Sequence, residues 1–142
     1  MVTDPRDPGA VVPDSREMAV LAARTAADKQ GRAVVVLDVR ELITITDYFV
    51  ICSGVTDRQV KTLADEIVKA LKGHGVRPVR REGEVAARWV LLDFVDFVVH
   101  VFNQEEREFY RLENLWRDAP IVAWEERAEA AGSIAPQSSP GP

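Results

Sequence analysis

The sequence has little cysteine and no long apolar run, and both scarcities narrow the class of protein. Cys52 is the only cysteine in 142 residues, so no disulfide can form within the chain. Inside the apolar stretch YFVICSG it is typical of a buried small hydrophobe in a reducing compartment, although a lone thiol can also be reactive. No apolar run reaches the roughly 20 residues of a membrane-spanning helix. The first residues resemble neither a secretion signal nor a mitochondrial presequence. We therefore expect a cytoplasmic protein without a membrane partner.

The sequence also lacks an excess of positive charge and the motifs of phosphate and metal chemistry. Its formal net charge is −5, whereas a nucleic-acid binder usually displays a basic face that releases counterions. There is no P-loop, dinucleotide fingerprint or HExxH motif. Cys52, His74 and His100 lack the spacing of zinc ligands, and His74 is typical of a solvated turn. These absences predict no catalytic site, metal or cofactor, and the charge favours a basic protein as partner.

What is present is the composition of one globular domain with proline-containing ends. Hydrophobic residues make up 46% of the chain and charged residues 29%, which is enough apolar side chain for a core. Small residues and prolines near both ends cannot build a core. We therefore expect a disordered tail over residues 1–13, a domain over 14–127 and a second disordered tail over 128–142.

The apolar pattern predicts the element order α, β, β, α, β, β, β, α. Capping boxes mark the starts of three helices, which we expect to end near Gly31, at 73–75 and near Trp116; the boxes are Asp14 with Glu17, Thr56 with Gln59, and Asn103 with Glu106. Strands are predicted over 33–40 and 47–54, which should be antiparallel because the connection ELITIT is too short for a crossover helix. A short edge strand in RPVRRE and a hairpin over 88–102 complete the set. The fold class is α/β (α+β), a mixed sheet of about five strands flanked by helices.

The hairpin RWVLLDFVDFVVHVF carries the candidate functional residues. A short loop around Val95 predicts that Leu92 lies opposite Phe97 and Trp89 opposite His100. Alternation then gives one apolar core face and one amphipathic face, the latter with Trp89, Leu91, Asp93, Asp96, Val98, His100 and Phe102. Two aspartates and a histidine could form a metal or acid–base site. An aromatic beside two aspartates is equally typical of an interface hot spot, which the missing motifs favour. His100 alone is also compatible with an ordinary hydrogen-bonded sheet histidine.

Other charged and aromatic residues have structural explanations. A local basic patch that could contact RNA is interrupted by Glu82 and Glu84, so we favour a solvated pair of strands; the patch comprises Arg77, Arg80, Arg81 and Arg88. Trp116 and Trp124 are predicted to complete the core or to hold the chain after the last helix.

Several motifs occur together in one order along the chain: the strand ITDYFVI, the stretch W-x-L-x-D, and the helix R-x-F-Y-x-L-E-x-L-W. With them the sequence resembles the ribosomal silencing factor family, also called the Iojap family, over about Ser15 to Pro120. The resemblance implies a fold similar to that of nucleotidyltransferases, without their Gly-Ser turn and paired acidic metal ligands. It therefore implies a binding factor that is not an enzyme. A nucleotidyltransferase-like, metal-dependent enzyme remains the alternative.

The resemblance also implies a partner. Family members bind the free large ribosomal subunit through its basic protein number fourteen, block joining of the small subunit and reduce translation when nutrients are short. Neighbouring ribosomal RNA is a second potential contact, and a face that bears Trp89 is compatible with a homodimer of the free protein. Carried over to this sequence, the contact surface comprises Trp89, Leu91, Asp93, Asp96, His100, Asp47, Glu84 and Tyr110.

One position departs from the family pattern. Val95 stands where the family commonly has glycine, before the second aspartate of the hairpin. A β-branched side chain resists the positive φ of a tight primed turn. We therefore predict a wider or differently shaped loop between Asp93 and Asp96.

Overall fold

The computed structural model describes residues 14–110, 114 and 116–125, with the side chains of 108–110 excepted. Within these residues three helices and five strands follow one another in the predicted order. Their bounds are α1 Ser15–Asp28, β1 Arg32–Asp38, β2 Tyr48–Gly54, α2 Asp57–Lys72, β3 Arg80–Glu82, β4 Trp89–Asp93, β5 Phe97–Asn103 and α3 Gln104–Tyr110. Both predicted tails and the last residues of the predicted domain lie outside the described residues.

The five strands form one mixed sheet in the order β1-β2-β5-β4-β3. β1 and β2 are antiparallel as predicted, β2 and β5 are parallel, and β5, β4 and β3 form an antiparallel meander. β3 lies at one edge, in agreement with the prediction from Pro78. At the other edge the segment after α3 adds backbone hydrogen bonds, from Asp38 N–H to Pro120 O at 2.8 Å and from Val122 N–H to Val36 O at 2.8 Å. The predicted fold class is confirmed.

Side-chain caps define the helix starts at the predicted residues, but only one capping pair has the predicted contact. Thr56 Oγ1 accepts from Gln59 N–H at 3.1 Å. Asp14 instead accepts from Arg16 N–H at 3.0 Å. Asn103 likewise accepts from the residue after next, Glu105 N–H, at 3.0 Å. Capping at the N2 or N3 position satisfies an orphan amide equally well, so the helix starts are unaffected.

The two faces of the sheet are covered differently. α1 and α2 pack on one face, where the larger core cluster lies. The smaller cluster on the other face includes Phe49 and Phe102, with Trp116 edge-on to Phe49 at 5.4 Å between ring centroids. Trp124 Nε1–H donates to Val34 O at 3.1 Å, so both tryptophans have the predicted structural role. None of the helices among the described residues is long and apolar enough to cross a membrane.

Cys52 lies in the larger core cluster and has no exposed surface. Burial raises the pKa of its thiol to about 12. The thiol is therefore protonated at neutral pH and unreactive as a nucleophile, which agrees with the prediction of a buried small hydrophobe.

The hairpin has the predicted faces but a different register. Leu92 lies opposite Val99 and Trp89 opposite Phe102, so the predicted pairings with Phe97 and His100 are wrong by two residues. The ladder ends at Asp93 and Val98, and Phe94 N–H donates to Phe97 O at 3.0 Å. The turn is therefore centred between Val95 and Asp96, one residue later than predicted, which shifts the pairing by two residues. A shift of two residues preserves the side-chain alternation. Leu92 and Val99 are therefore buried in the larger core, as predicted from parity.

Candidate partner-binding face

The partner face is the part of the sheet away from α1 and α2, with Trp89, Leu91, Asp93, Val98 and His100 on β4 and β5. Its aromatic group is fixed by neighbours. The Trp89 ring stacks on Phe102 with centroids 4.8 Å apart, and Trp89 Nε1–H donates to His100 Nδ1 at 3.2 Å. Trp89 is half-buried, and these contacts restrict the rotation of its ring. A preorganised aromatic loses little conformational entropy on binding.

His100 lies beneath this surface rather than on it, with 6% of its area exposed. Phe49 packs edge-on against it with ring centroids 5.1 Å apart. Because the indole N–H of Trp89 can only donate, Nδ1 of His100 must accept, and the neutral ring carries its proton on Nε2. Burial lowers the pKa of His100 to about 4, so the ring is neutral at physiological pH. The predicted alternative of a hydrogen-bonded sheet histidine is therefore confirmed for Nδ1. Among the described residues Nε2 has no partner.

The turn between the strands takes an uncommon shape. Val95 has φ +75°, and Asp96 N–H donates to Phe94 O at 2.9 Å, which together make a γ-turn centred on Val95. Asp93 Oδ1 accepts from Val95 N–H at 2.8 Å and holds the same loop. The prediction of a differently shaped loop is therefore confirmed. Val95 nevertheless adopts the positive φ that we expected a β-branched residue to resist.

The two hairpin aspartates have different environments. Asp93 Oδ2 accepts from Arg80 at 3.2 Å, so its charge is balanced within the protein. Asp96 is exposed, and its backbone oxygen accepts from Asp47 N–H at 2.9 Å. That bond brings the start of β2 beside the turn. The backbones of Asp47 and Asp96 therefore lie together at one end of the partner face, and we call these two residues the acidic rim. Arg40 is near enough to interact electrostatically with Asp47.

Two predicted contact residues, Glu84 and Tyr110, are not part of this group. Glu84 lies in the connection between β3 and β4, where it forms an ion pair with Arg81. The side chain of Tyr110 lies outside the described residues.

Three of the four arginines of the basic patch are also in ion pairs, which favours the predicted solvated pair of strands over an RNA site; the pairs are Arg80 with Glu82 and Asp93, Arg81 with Asp65 and Glu84, and Arg88 with Asp57, Glu105 and Glu106.

A cavity of about 300 Å³ opens on the partner face, and six of its nine lining residues were not among the predicted contacts. Leu91, Asp93 and His100 were predicted contacts; the other lining residues are Ile45, Thr46, Phe49, Arg80, Val95 and Val98. Ile45 is 83% exposed at the edge of this cavity. Ile43 and Ile45 alternate with threonines in ELITIT, and this alternation was the available signal. Within the described part of the chain, no group of three or more His, Cys, Asp or Glu residues could hold a metal ion.

Comparison with known proteins identifies the family. The sequence model of the family described as "Ribosomal silencing factor during starvation" matches residues 12–140. The chain belongs to the ribosomal silencing factor family. The ribosomal silencing factor of Halalkalibacterium halodurans is 42% identical over 111 residues, which cover 78% of this chain and 95% of that protein. Relatives of this family are named for a regulatory role on ribosomes and not for an enzymatic activity.

Two further relatives extend the comparison. A mouse protein named "Mitochondrial assembly of ribosomal large subunit protein 1" is 36% identical over 91 residues, which cover 62% of this chain and 40% of that longer protein. A crystal structure of a protein from Chromobacterium violaceum superposes with a TM-score of 0.72 at 31% identity, and the match covers 85% of this chain and 100% of that one. The family resemblance and the fold predicted from the sequence are both confirmed.

Proposed function

We propose that this ribosomal silencing factor binds the large ribosomal subunit through its basic protein number fourteen, prevents joining of the small subunit and represses translation, above all when nutrients are limiting. Family membership supports a silencing role. The name of the mouse relative supports the large subunit as the particle concerned. We place the activity in the cytoplasm, where free subunits are available.

The partner face is the observation that carries this proposal. It combines a fixed aromatic, Trp89, with the exposed aliphatic side chains of Ile45 and Val95. Asp47 and Asp96 border this apolar area. An apolar centre with an aromatic anchor and a charged rim is the usual composition of a protein interface. Because the charges of the rim are negative, the complementary partner is a basic protein.

The proposed mechanism is steric. Trp89 and Leu91 form the centre of the contact, and Asp93 contributes through a carboxylate already oriented by Arg80. We assign Asp47, Asp96 and Glu84 to the periphery, where charge accelerates encounter more than it adds affinity, and we keep Tyr110 as a further contact residue. Once the face is covered, the body of the domain occupies space that the small subunit needs. No chemical step is required.

Cosedimentation with separated ribosomal subunits, followed by a subunit-joining assay, tests the proposal. We expect the full chain to pellet with large subunits and not with small ones, and to reduce joining. Asp96→Asn should weaken binding by roughly twofold to fivefold, since exposed rim charges contribute about 0.5–1 kcal/mol. Asp118→Asn is the matched control, because Asp118 is also exposed but lies outside the partner face.

Two results would contradict the proposal. One is failure of the wild-type chain to bind large subunits. The other is stabilisation of the free protein by a divalent metal with a nucleoside triphosphate, measured as a rise in melting temperature, which would instead favour the nucleotidyltransferase-like enzyme.

A further inference from the structure

Two of the residues that line the cavity each have a buried polar atom with no hydrogen-bond partner in the described part of the chain. His100 Nε2 and Thr46 Oγ1 are buried, and neither has a hydrogen-bond partner among the described residues. His100 and Thr46 are 6% and 5% exposed, and both line the same cavity of about 300 Å³. Buried polar groups are nearly always hydrogen-bonded, and exceptions often mark a site that another molecule completes.

The chemistry of the missing partner follows from the proton on His100. Because Nδ1 accepts from Trp89 Nε1–H, Nε2 is the protonated nitrogen and must donate. The missing group is therefore a hydrogen-bond acceptor. Thr46 offers a hydroxyl, which can donate to the same kind of group or accept from an adjacent N–H. A peptide unit provides both a carbonyl oxygen and an N–H.

The charges around the cavity exclude a carboxylate as the best occupant. His100 is neutral at physiological pH because burial lowers its pKa to about 4. Arg80 is the cationic residue of the lining, and it lies 3.0 Å from Glu82 and 3.2 Å from Asp93. One positive and two negative groups leave this cluster with a net negative charge. A neutral acceptor is therefore favoured over an anion.

The rim indicates that the occupant is part of a protein. Ile45 and Val95 border the opening and are 83% and 52% exposed, and Phe49, Leu91 and Val98 form apolar walls. A small neutral molecule inside the cavity would leave the two rim residues in water. A protein surface would cover them and gain the burial of their apolar area. Asp47 and Asp96 beside the rim add charge complementarity to a basic protein.

We infer that the cavity is a socket for the proposed ribosomal protein partner, which inserts one aliphatic side chain between the apolar walls and presents an adjacent peptide carbonyl oxygen to His100 Nε2–H. This inference rests on the proposed function, because the socket opens on the partner face. Access to Nε2 requires rotation of rim side chains, and the exposed Ile45 can rotate with little loss of contact. Binding then provides partners for two groups that have none among the described residues.

The test compares two pairs of matched variants in binding to purified large ribosomal subunits. Thr46→Val removes the buried hydroxyl with little change of volume, and Thr62→Val makes the same change on the exposed surface of α2. His100→Phe removes the donor, and His74→Phe changes the only other histidine, which is exposed. We expect both cavity variants to bind roughly threefold to tenfold more weakly, since one hydrogen bond contributes about 0.5–1.5 kcal/mol. The two controls should bind like the wild type.

The melting temperature of the free variants provides a second, independent measurement. Thr46→Val should melt at the same temperature as the wild type or higher, because it removes an unsatisfied buried group. Binding is compared at a temperature at which circular dichroism shows every variant folded. If Thr46 had only a structural role, its variant would not bind large subunits more weakly while keeping the melting temperature of the wild type.

Three results would overturn the socket. If both cavity variants bind large subunits as tightly as the wild type does, the cavity holds only water. The proposed function then stands without the socket. If long-range proton–nitrogen NMR shows the His100 proton on Nδ1, the donor does not exist. If the wild type does not bind large subunits, the proposed function and the socket fail together.

Discussion

Val95 is the residue at which backbone conformation and side-chain type conflict most. A β-branched residue at φ +75° pays a steric cost that glycine does not. The surrounding bonds hold it there: Asp93 Oδ1 accepts from Val95 N–H at 2.8 Å, and the stacked rings of Phe94 and Phe97, 4.7 Å apart, close the base of the loop. The conformation places the Val95 side chain at the rim of the cavity. Strain of this kind is common at binding sites, where neighbouring contacts offset it.

Replacing Val95 by glycine should stabilise the free protein. The positive φ costs roughly 1–3 kcal/mol for a β-branched residue, while glycine adds about 0.5–1 kcal/mol of unfolded-state entropy, so we expect a net gain of about 1 kcal/mol in urea unfolding. Val85→Gly is the control, because Val85 is fully exposed and is not among the described residues with positive φ. That change should lower stability slightly. A lower unfolding free energy for Val95→Gly would show that its side-chain contacts outweigh the strain.

At the scale of elements, the sequence predicted the sheet face of each residue more accurately than the pairing of residues between β4 and β5. Alternation in β4 and β5 determines which side of the sheet each residue occupies, and a register error of two residues leaves that assignment intact. The register itself depends on the γ-turn at Val95, which the Asp93 side chain holds in place. This turn has no simple sequence signature. The alternation of isoleucine and threonine in the connection between β1 and β2 does not indicate which strand the connection lies beside. Ile45 and Thr46 therefore could not be placed beside His100 without the structure.

Gly83 controls the connection between β3 and β4. It has φ +84°, and a Cβ added there would lie 2.1 Å from the backbone oxygen of Trp89. Gly83→Ala should therefore force the connection away from β4 and destabilise the protein by more than about 2 kcal/mol, from conformational strain and the clash together. Gly75→Ala is the matched control, since Gly75 has φ +78° with no atom within 4 Å of the added Cβ.

The control variant should lose about 1 kcal/mol, from conformational strain alone. Urea unfolding of both variants measures the difference. Equal losses would mean that the backbone at Gly83 relaxes freely and that β3 does not constrain the position of Trp89.

At the scale of the whole molecule, the distribution of charge separates binding to a basic protein from binding to RNA. The chain has 18 basic and 23 acidic residues, and the arginines nearest the partner face are held in ion pairs with carboxylates of the same chain. Little positive charge is therefore left to release counterions from a phosphate backbone. The rim of Asp47 and Asp96 leaves a negative potential at the opening of the cavity. Encounter with a basic surface is accelerated by such a potential, whereas encounter with RNA is slowed.

Salt should consequently act on association with the large subunit and hardly on dissociation. Between about 50 and 300 mM monovalent salt, screening shortens the Debye length from roughly 14 to 6 Å, and we expect the association rate constant to fall by roughly threefold to tenfold. The apolar centre around Trp89 is unaffected by screening, so the dissociation rate should change by less than about twofold. Surface plasmon resonance on immobilised large subunits measures both rates. Asp96→Asn should flatten the salt dependence of association and Asp118→Asn should not. A salt effect carried mainly by dissociation would place the ionic contacts in the centre of the interface and contradict the assignment of the acidic residues to its rim.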